Sequence, residues 1–582
     1  MMKRFMKMLI VGMIAMVLFV SCEKKFLEMP ISNTTTVDTV FSTTTNAEQA
    51  IADVYQKTLC QGLPYKMDYD NWNAMIQANL SGELTYGFAW TMSQTMLING
   101  YNANGTSEDM DGFNNNYSAI RRAWLVYENI DKVQDKAMTD SYKATIKAEM
   151  KALIAYRYEQ MLIAYGGVPM IARSMTSSEN LNVKRSSVKL VLDSITTWCD
   201  QAAQVLPSVW EDKWTGRMTK AAALSVKAKA LMYAARPLFN TDKPYMDFGS
   251  NNELICLGNA DATRWAQAAT AAEAVITEAE SNANLGIINS AGDGVMNTAA
   301  QALIDYGTAT STPANKEVIL AFKAAVNTTG FNVFMNPRTN WQAYGNVLTT
   351  NFLENYYKQD GTDQVWPKEG TVNTFSDYTT RMNNMEARFK ASFQGIGIDS
   401  WNNAGDANWA WSKIFQGGYS GCAESVKFWY KAGTRTWFDF PIFRVAAFYL
   451  SAAEAYNEMN QQNQALARLN VIRLRAGLPA VTETNQAALR KIIQREWAVE
   501  FCGENYRLHD VKHWKLDNIG NGILGGSIRA FLYNDGSSAL ATGNKNYEDR
   551  LSYIAFWSAK QFLNPIPQSE VNKGIIIQNP GY

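Results

Sequence analysis

The sequence predicts a mostly α-helical protein, made of helical hairpins with tetratricopeptide spacing and interrupted by long irregular insertions. Three observations carry that expectation. Phe443 to Pro479 holds two apolar stripes at a 3.6-residue period, the first through Val445, Phe448, Tyr449, Ala452, Tyr456 and Met459, the second through Ala465, Leu469 and Ile472. Gly477-Leu478-Pro479 stops the second helix. Ala453, Tyr456, Ala465 and Leu469 have the small, aromatic, small and bulky order of a repeat of about 34 residues, although any close-packed antiparallel pair wants the same sizes. A second pair of the same kind, Thr219 to Tyr233 and Arg264 to Glu280, repeats the logic with Trp265, Ala269 and Ala272. Regularity fails between such pairs, over 62–116, 237–262 and 285–435, where Gly, Asn, Trp and Tyr crowd together.

Taken in order, residues 1–21 form a signal peptide, with Lys3, Arg4 and Lys7 before an apolar run from Met8 to Val20 that is short for a membrane span. Ser21-Cys22 closes it as a bacterial lipoprotein signal does, which makes Cys22 the expected lipidation site and 22–45 an anchor and tether. Asn46 is placed to cap a helix through Ala50, Val54 and Tyr55. Helices are expected over Tyr117 to Val133, Tyr142 to Tyr165, Val188 to Leu206 and, after the opening hairpin, Gln486 to Cys502, followed by a loop-rich tail. With no Pro-, Gly- or Ser-rich linker in view, 46–582 reads as a single domain.

Charge and cysteine content exclude several functions. Lys+Arg and Asp+Glu both number 54, and no basic block breaks the balance, so the chain lacks the concentrated cationic charge that binds nucleic acid. Cys60, Cys199, Cys256, Cys422 and Cys502 are widely spaced and form no CxxC pair, which suits buried free thiols rather than a disulfide framework or zinc site. The only histidines, His509 and His513, lack a complete ligand set nearby. Glu108-Asp109-Met110-Asp111-Gly112 lacks the ligand spacing of a calcium loop, and no nucleophile elbow or phosphate loop appears. No cofactor is expected.

The aromatic content, 12% with 17 Trp and 27 Tyr, concentrates in the irregular segments and calls for more than core filling. Sugar C–H faces pack on aromatic rings, and sugar hydroxyls pair with amide, carboxylate and guanidinium groups. Two segments combine both chemistries: Trp72 and Asn73 with Asn79, Glu83, Tyr86 and Trp90, and Arg338, Asn340, Trp341 and Tyr344. Trp401, Trp409 and Trp411 form a third candidate group. For any single ring, packing under its own loop competes with ligand stacking.

Landmarks along the chain resemble the SusD/RagB family of outer-membrane nutrient-binding lipoproteins of Bacteroidetes. They are Cys22 with Phe26-Leu27-Glu28 and Pro30; Ala155-Tyr156-Arg157 through Tyr165-Gly166-Gly167-Val168-Pro169; Arg217-Met218-Thr219-Lys220; Arg444 through Ala453-Glu454-Ala455; and Leu469-Asn470 through Arg475-Ala476-Gly477-Leu478-Pro479. Glu496, Glu500, Glu504, Arg507, Asp510 and Trp514 follow, then Pro565-Ile566-Pro567 and Gln578-Asn579-Pro580-Gly581-Tyr582. The resemblance implies tetratricopeptide-like helical hairpins in a right-handed superhelical scaffold, with a binding surface built from loop insertions. It also implies a lipid-anchored protein facing the cell surface that captures oligosaccharides for a SusC-like TonB-dependent transporter and is not an enzyme. Within the binding class the alternative is oligopeptide capture, and outside it a surface glycoside hydrolase.

Overall fold

The computed structural model describes residues 36–60, 76–85, 92–105, 112–176, 179, 182–325, 347–394, 423–428, 437–516, 524–534 and 546–582. Cys22 and Cys422, and Trp72, Asn73, Tyr86, Trp90, Arg338, Asn340, Trp341 and Tyr344, lie outside the described residues, as do Trp401, Trp409, Trp411 and the acidic run 108–111.

The frame is mostly α-helical and tetratricopeptide-like. Its principal helices are α1 (Thr44–Leu59), α2 (Phe113–Asn129), α3 (Asp140–Tyr165), α4 (Val188–Ala203), α5 (Lys220–Ala235), α6 (Thr263–Asn282), α7 (Ala299–Ser311), α8 (Val445–Glu458), α9 (Gln462–Arg475), α10 (Gln486–Glu500) and α11 (Arg507–His513). Side chains cap them where the sequence offers an oxygen: Thr139, Ser187, Thr219 and Asn485 each accept a backbone N–H three residues on, at 3.0–3.2 Å. α1 is capped by Thr43, which accepts from the Asn46 N–H; the expected cap at Asn46 is corrected by one turn, because the helix starts before it.

Consecutive helices pack side by side from α1 to α6, and α6 then packs on α8, which pairs with α9. Small residues permit this. Ala268, Ala269 and Ala272 of α6 and Ala452, Ala453 and Ala455 of α8 are all buried, and Ala465 and Leu469 fill the α8–α9 gap. The stack therefore continues across 283–444 as though that segment were absent, which makes it an insertion.

The insertions hold more regular structure than the sequence suggests. Within 62–116 lie helices Ile76–Leu80 and Met92–Asn99, and α2 begins at Phe113; 285–435 contains α7 and helices Phe375–Asn383 and Ala387–Ser392. Strands were the larger omission. β1 (Leu84–Thr85), β3 (Val347–Leu348), β5 (Phe393–Gln394) and β6 (Glu424–Ser425) form a four-stranded sheet in the order β1-β3-β6-β5. β2 (Val318–Ala325) pairs with β7 (Trp437–Arg444), and β4 (Val372–Thr374) joins the β8–β9 hairpin (Gly526–Asn534 and Asn546–Ala555). Phe443, expected to open the α8 helix, is in strand instead, since its backbone is claimed by a partner more than a hundred residues away.

The end of α3 is locked to the C-terminal tail. Arg185 Nε donates to the Gly167 carbonyl at 2.7 Å and its Nη2 to Asn579 Oδ1 at 2.9 Å, while Asn579 Nδ2 donates to the Tyr165 carbonyl at 3.1 Å. A Cβ at Gly167 would stand 2.0 Å from the Ser186 carbonyl oxygen, a backbone atom that cannot swing away. Gly167→Ala is expected to cost about 1–3 kcal/mol through this overpacking, read as a lower urea midpoint with an unchanged slope.

Candidate functional site

The four-stranded sheet gathers the ends of the aromatic segments. Thr85 pairs with Val347 and Leu84 with Leu348 in antiparallel register. The chain leaves β1 into 86–91 and enters β3 from 326–346, so the roots of both candidate segments are direct partners. On the other side of β3, β6 and β5 hold the two ends of 395–422, with Val347 opposite Glu424 and Phe393 opposite Ser425. Two-residue strands are marginal alone, so other contacts must hold them.

Glu83 supplies one such contact. Only 1% exposed, it accepts from the Gly503 N–H at 3.0 Å and from Ser81 Oγ at 2.8 Å. Burial pushes its carboxyl above the ordinary range against the pull of Arg507 and Lys427. Thr349 locks the same corner, its Oγ1 donating to the Gly82 carbonyl at 2.6 Å and its N–H to the Glu83 carbonyl at 3.2 Å. Asn79, expected with Glu83 to present polar groups to a ligand, is likewise 1% exposed. Of the predicted site residues these two are the ones the structure describes, and both are buried rather than on an open face.

Behind the sheet lies a buried charge cluster. Arg444, at the end of β7, donates through Nε and Nη2 to Glu504 at 2.9 and 2.7 Å, and through Nη1 to Glu317 at 2.5 Å and Glu500 at 3.0 Å. Arg475 of α9 bonds Glu317 and Glu500; Arg388 bonds Glu386 at 2.7 Å, Glu496 at 2.5 Å and Glu500 at 3.2 Å; Arg473 reaches Glu496 at 3.4 Å. Lys427, just after β6, donates to Glu504 at 2.7 Å and to the Cys502 and Glu500 carbonyls at 2.8 and 3.1 Å. Five cations thus face five carboxylates, and none of the ten is more than 5% exposed. Charges this deep persist only when paired.

The cluster is a junction. The turn 501–504 after α10 receives Glu83 from below β1, Lys427 from β6 and Arg444 from β7, while Glu317 enters from just before β2. The chain beside β1, β2 and β6, and the end of β7, are thus tied to one point on the helical frame. The landmarks Glu496, Glu500, Glu504 and Arg444 act here. Glu317, Glu386, Arg388 and Lys427 complete the cluster and escaped sequence reasoning, because isolated charges in irregular segments read as solvated.

His513 is structural. His513 Nε2 lies 3.0 Å from the Ile163 carbonyl, the ring is packed edge-on against Tyr233 and Phe239, and burial lowers its pKa to about 3. Asp510 beside it is taken by Arg236 at 2.5 Å and Tyr233 at 2.6 Å. Among the described residues no group of three or more His, Cys, Asp or Glu is placed to hold a metal ion.

Fold and junction together define the class: a helical-repeat frame that carries inserted strands and loops at one rigid point. The chain belongs to the SusD family, whose model matches residues 316–582, while a second model, described as starch-binding associating with outer membrane, matches 25–232. Solved structures share the fold. A SusD-like protein of Bacteroides fragilis is 20% identical with a TM-score of 0.70, covering 94% of this chain and 98% of its own. A SusD-like carbohydrate-binding protein of the same species is also 20% identical, with a TM-score of 0.67 over 92% and 99%. A SusD superfamily protein of Parabacteroides distasonis is 18% identical, with a TM-score of 0.62 over 92% and 99%. No curated protein matches the chain.

Proposed function

We propose that the protein is a lipid-anchored, glycan-binding lipoprotein of the outer membrane that captures oligosaccharides and delivers them to a SusC-like TonB-dependent transporter. The observation that carries this reading is the Thr85–Val347 pairing, which roots the two segments rich in Trp, Tyr and Asn side by side. The starch-binding, outer-membrane description of the N-terminal family model supports it, as does the carbohydrate-binding relative from Bacteroides fragilis.

In this reading Trp72, Tyr86, Trp90, Trp341 and Tyr344 offer stacking faces, and Asn73, Arg338 and Asn340 pair with hydroxyls. Asn79 and Glu83 hold the platform, and Cys22 carries the lipid. The junction serves affinity, since strand ends held in place before the ligand arrives lose less freedom on binding. Trp72→Ala or Trp341→Ala is expected to weaken oligosaccharide binding by about 1–3 kcal/mol with the melting temperature unchanged, the scale of one lost stacking face. Unchanged affinity with a large drop in melting temperature would make those rings core residues instead.

A further inference from the structure

Away from the four-stranded sheet, the segment joining α4 to α5 borders a cavity of about 250 Å³, lined among others by Trp210, Asp212, Lys323 and Asp439. Asp439 is 7% exposed, and one of its oxygens accepts the Ala314 N–H at 2.8 Å. The other, Oδ1, is buried without a hydrogen-bond partner among the described residues. A buried acceptor left unmatched is costly, so it marks a place where a donor from outside belongs.

The walls narrow the class of that donor. Trp210 is fixed by its indole N–H, which donates to the Met218 carbonyl at 2.8 Å, and by the Arg217 guanidinium 4.6 Å from its ring centre. Arg217 also sits 4.8 Å from the Trp214 ring, and its charge is matched by Glu149 at 2.8 Å. Two carboxylates, the Lys323 ammonium and the Arg217 guanidinium line the space, so a simple anion meets the first two and a simple cation the others. A neutral molecule with apolar faces and many hydroxyls suits a lining of both signs. Gly216, at φ +97°, lets the chain pass under Lys323, where a Cβ would meet its Cε at 2.9 Å. On the far side of that lysine an adjoining cavity of about 290 Å³ is lined by Trp214, Ile51, Leu59 and Phe322.

We propose that this cavity is a second saccharide-binding site, which seats one or two sugar rings against Trp210 and pairs a sugar hydroxyl with Asp439 Oδ1. Its volume lies just below the roughly 300–1,000 Å³ of pockets for larger ligands, which limits it to a short segment of a glycan. The ligand class rests on the saccharide reading above; the location does not.

The test uses the mature chain in detergent, with methyl glycosides of glucose, galactose, mannose and N-acetylglucosamine as probes followed by saturation-transfer NMR. In a Trp72→Ala, Trp341→Ala background, at least one probe is expected to remain bound, and Asp439→Ala is expected to weaken it at least fivefold. Val209→Trp, at an exposed position on the cavity rim, fills the opening without cutting a hydrogen bond and is expected to do the same if Asp439→Ala fails to fold. Binding by the wild type that vanishes in the double-Trp background, or residual binding that neither further variant weakens, would overturn this site alone. No probe bound by the wild type would overturn this site, and the saccharide reading would fall with it only if the wild type also bound no oligosaccharide.

Discussion

Arg444→Met is expected to lower the unfolding free energy by about 3–5 kcal/mol, the cost of removing one partner from a buried ion cluster. The arginine is 1% exposed and meets Glu317, Glu500 and Glu504 at once. Methionine fills much of the volume and stays apolar, so the loss isolates the charge. Three carboxylates would then share Arg475, Lys427 and an Arg388 already bonded to Glu386 and Glu496, a shortfall that no surface side chain can make good. Urea unfolding followed by circular dichroism reads the change directly. A loss under about 1 kcal/mol, the scale of exposed pairs, would mean that water reaches the cluster.

Glu500→Gln is expected to cost a similar amount at neutral pH, and the cost depends on acidity. Burial alone would raise the Glu500 pKa, but Arg475, Arg444, Arg388 and Lys427 outweigh it and hold the carboxyl well below the ordinary range. A folded pKa below the unfolded value of about 4.3 means that the ionised group stabilises the protein above that pH, and that the contribution fades as pH falls through the folded pKa. The stability gap between wild type and Glu500→Gln is therefore expected to be full at pH 7 and to narrow below about pH 4.3. A gap that widens with acid would mean that Glu500 is protonated in the native state.

The helices were the legible part of the fold. Tyr142 to Tyr165 and α3, or Val188 to Leu206 and α4, differ by at most three residues at either end, because capping residues and 3.6-residue apolar stripes are local signals. The strands were not legible for the converse reason. β2 meets β7 across more than a hundred residues, and β1, β3, β5 and β6 are too short for a two-residue alternation to register. The β8–β9 hairpin lies in a tail whose sequence predicts loop, because no short turn signal joins its strands.

The charged core was half legible. Glu496, Glu500 and Glu504 stood out as family landmarks, but nothing near Lys427 or Glu317 says that either is buried, since burial there is decided by partners distant in sequence. Glu83 shows the same limit. In a stretch rich in Asn and Gly a carboxylate reads as available to a ligand, and its fate was set by the Gly503 N–H, 420 residues away.

The most direct test of the central claim is isothermal titration of the mature chain against a broad panel of oligosaccharides, with peptides of comparable size as the comparison. Saturable binding of at least one oligosaccharide, weakened by Trp72→Ala or Trp341→Ala, is the predicted result. Binding of peptides with no affinity for any glycan in the panel would contradict it.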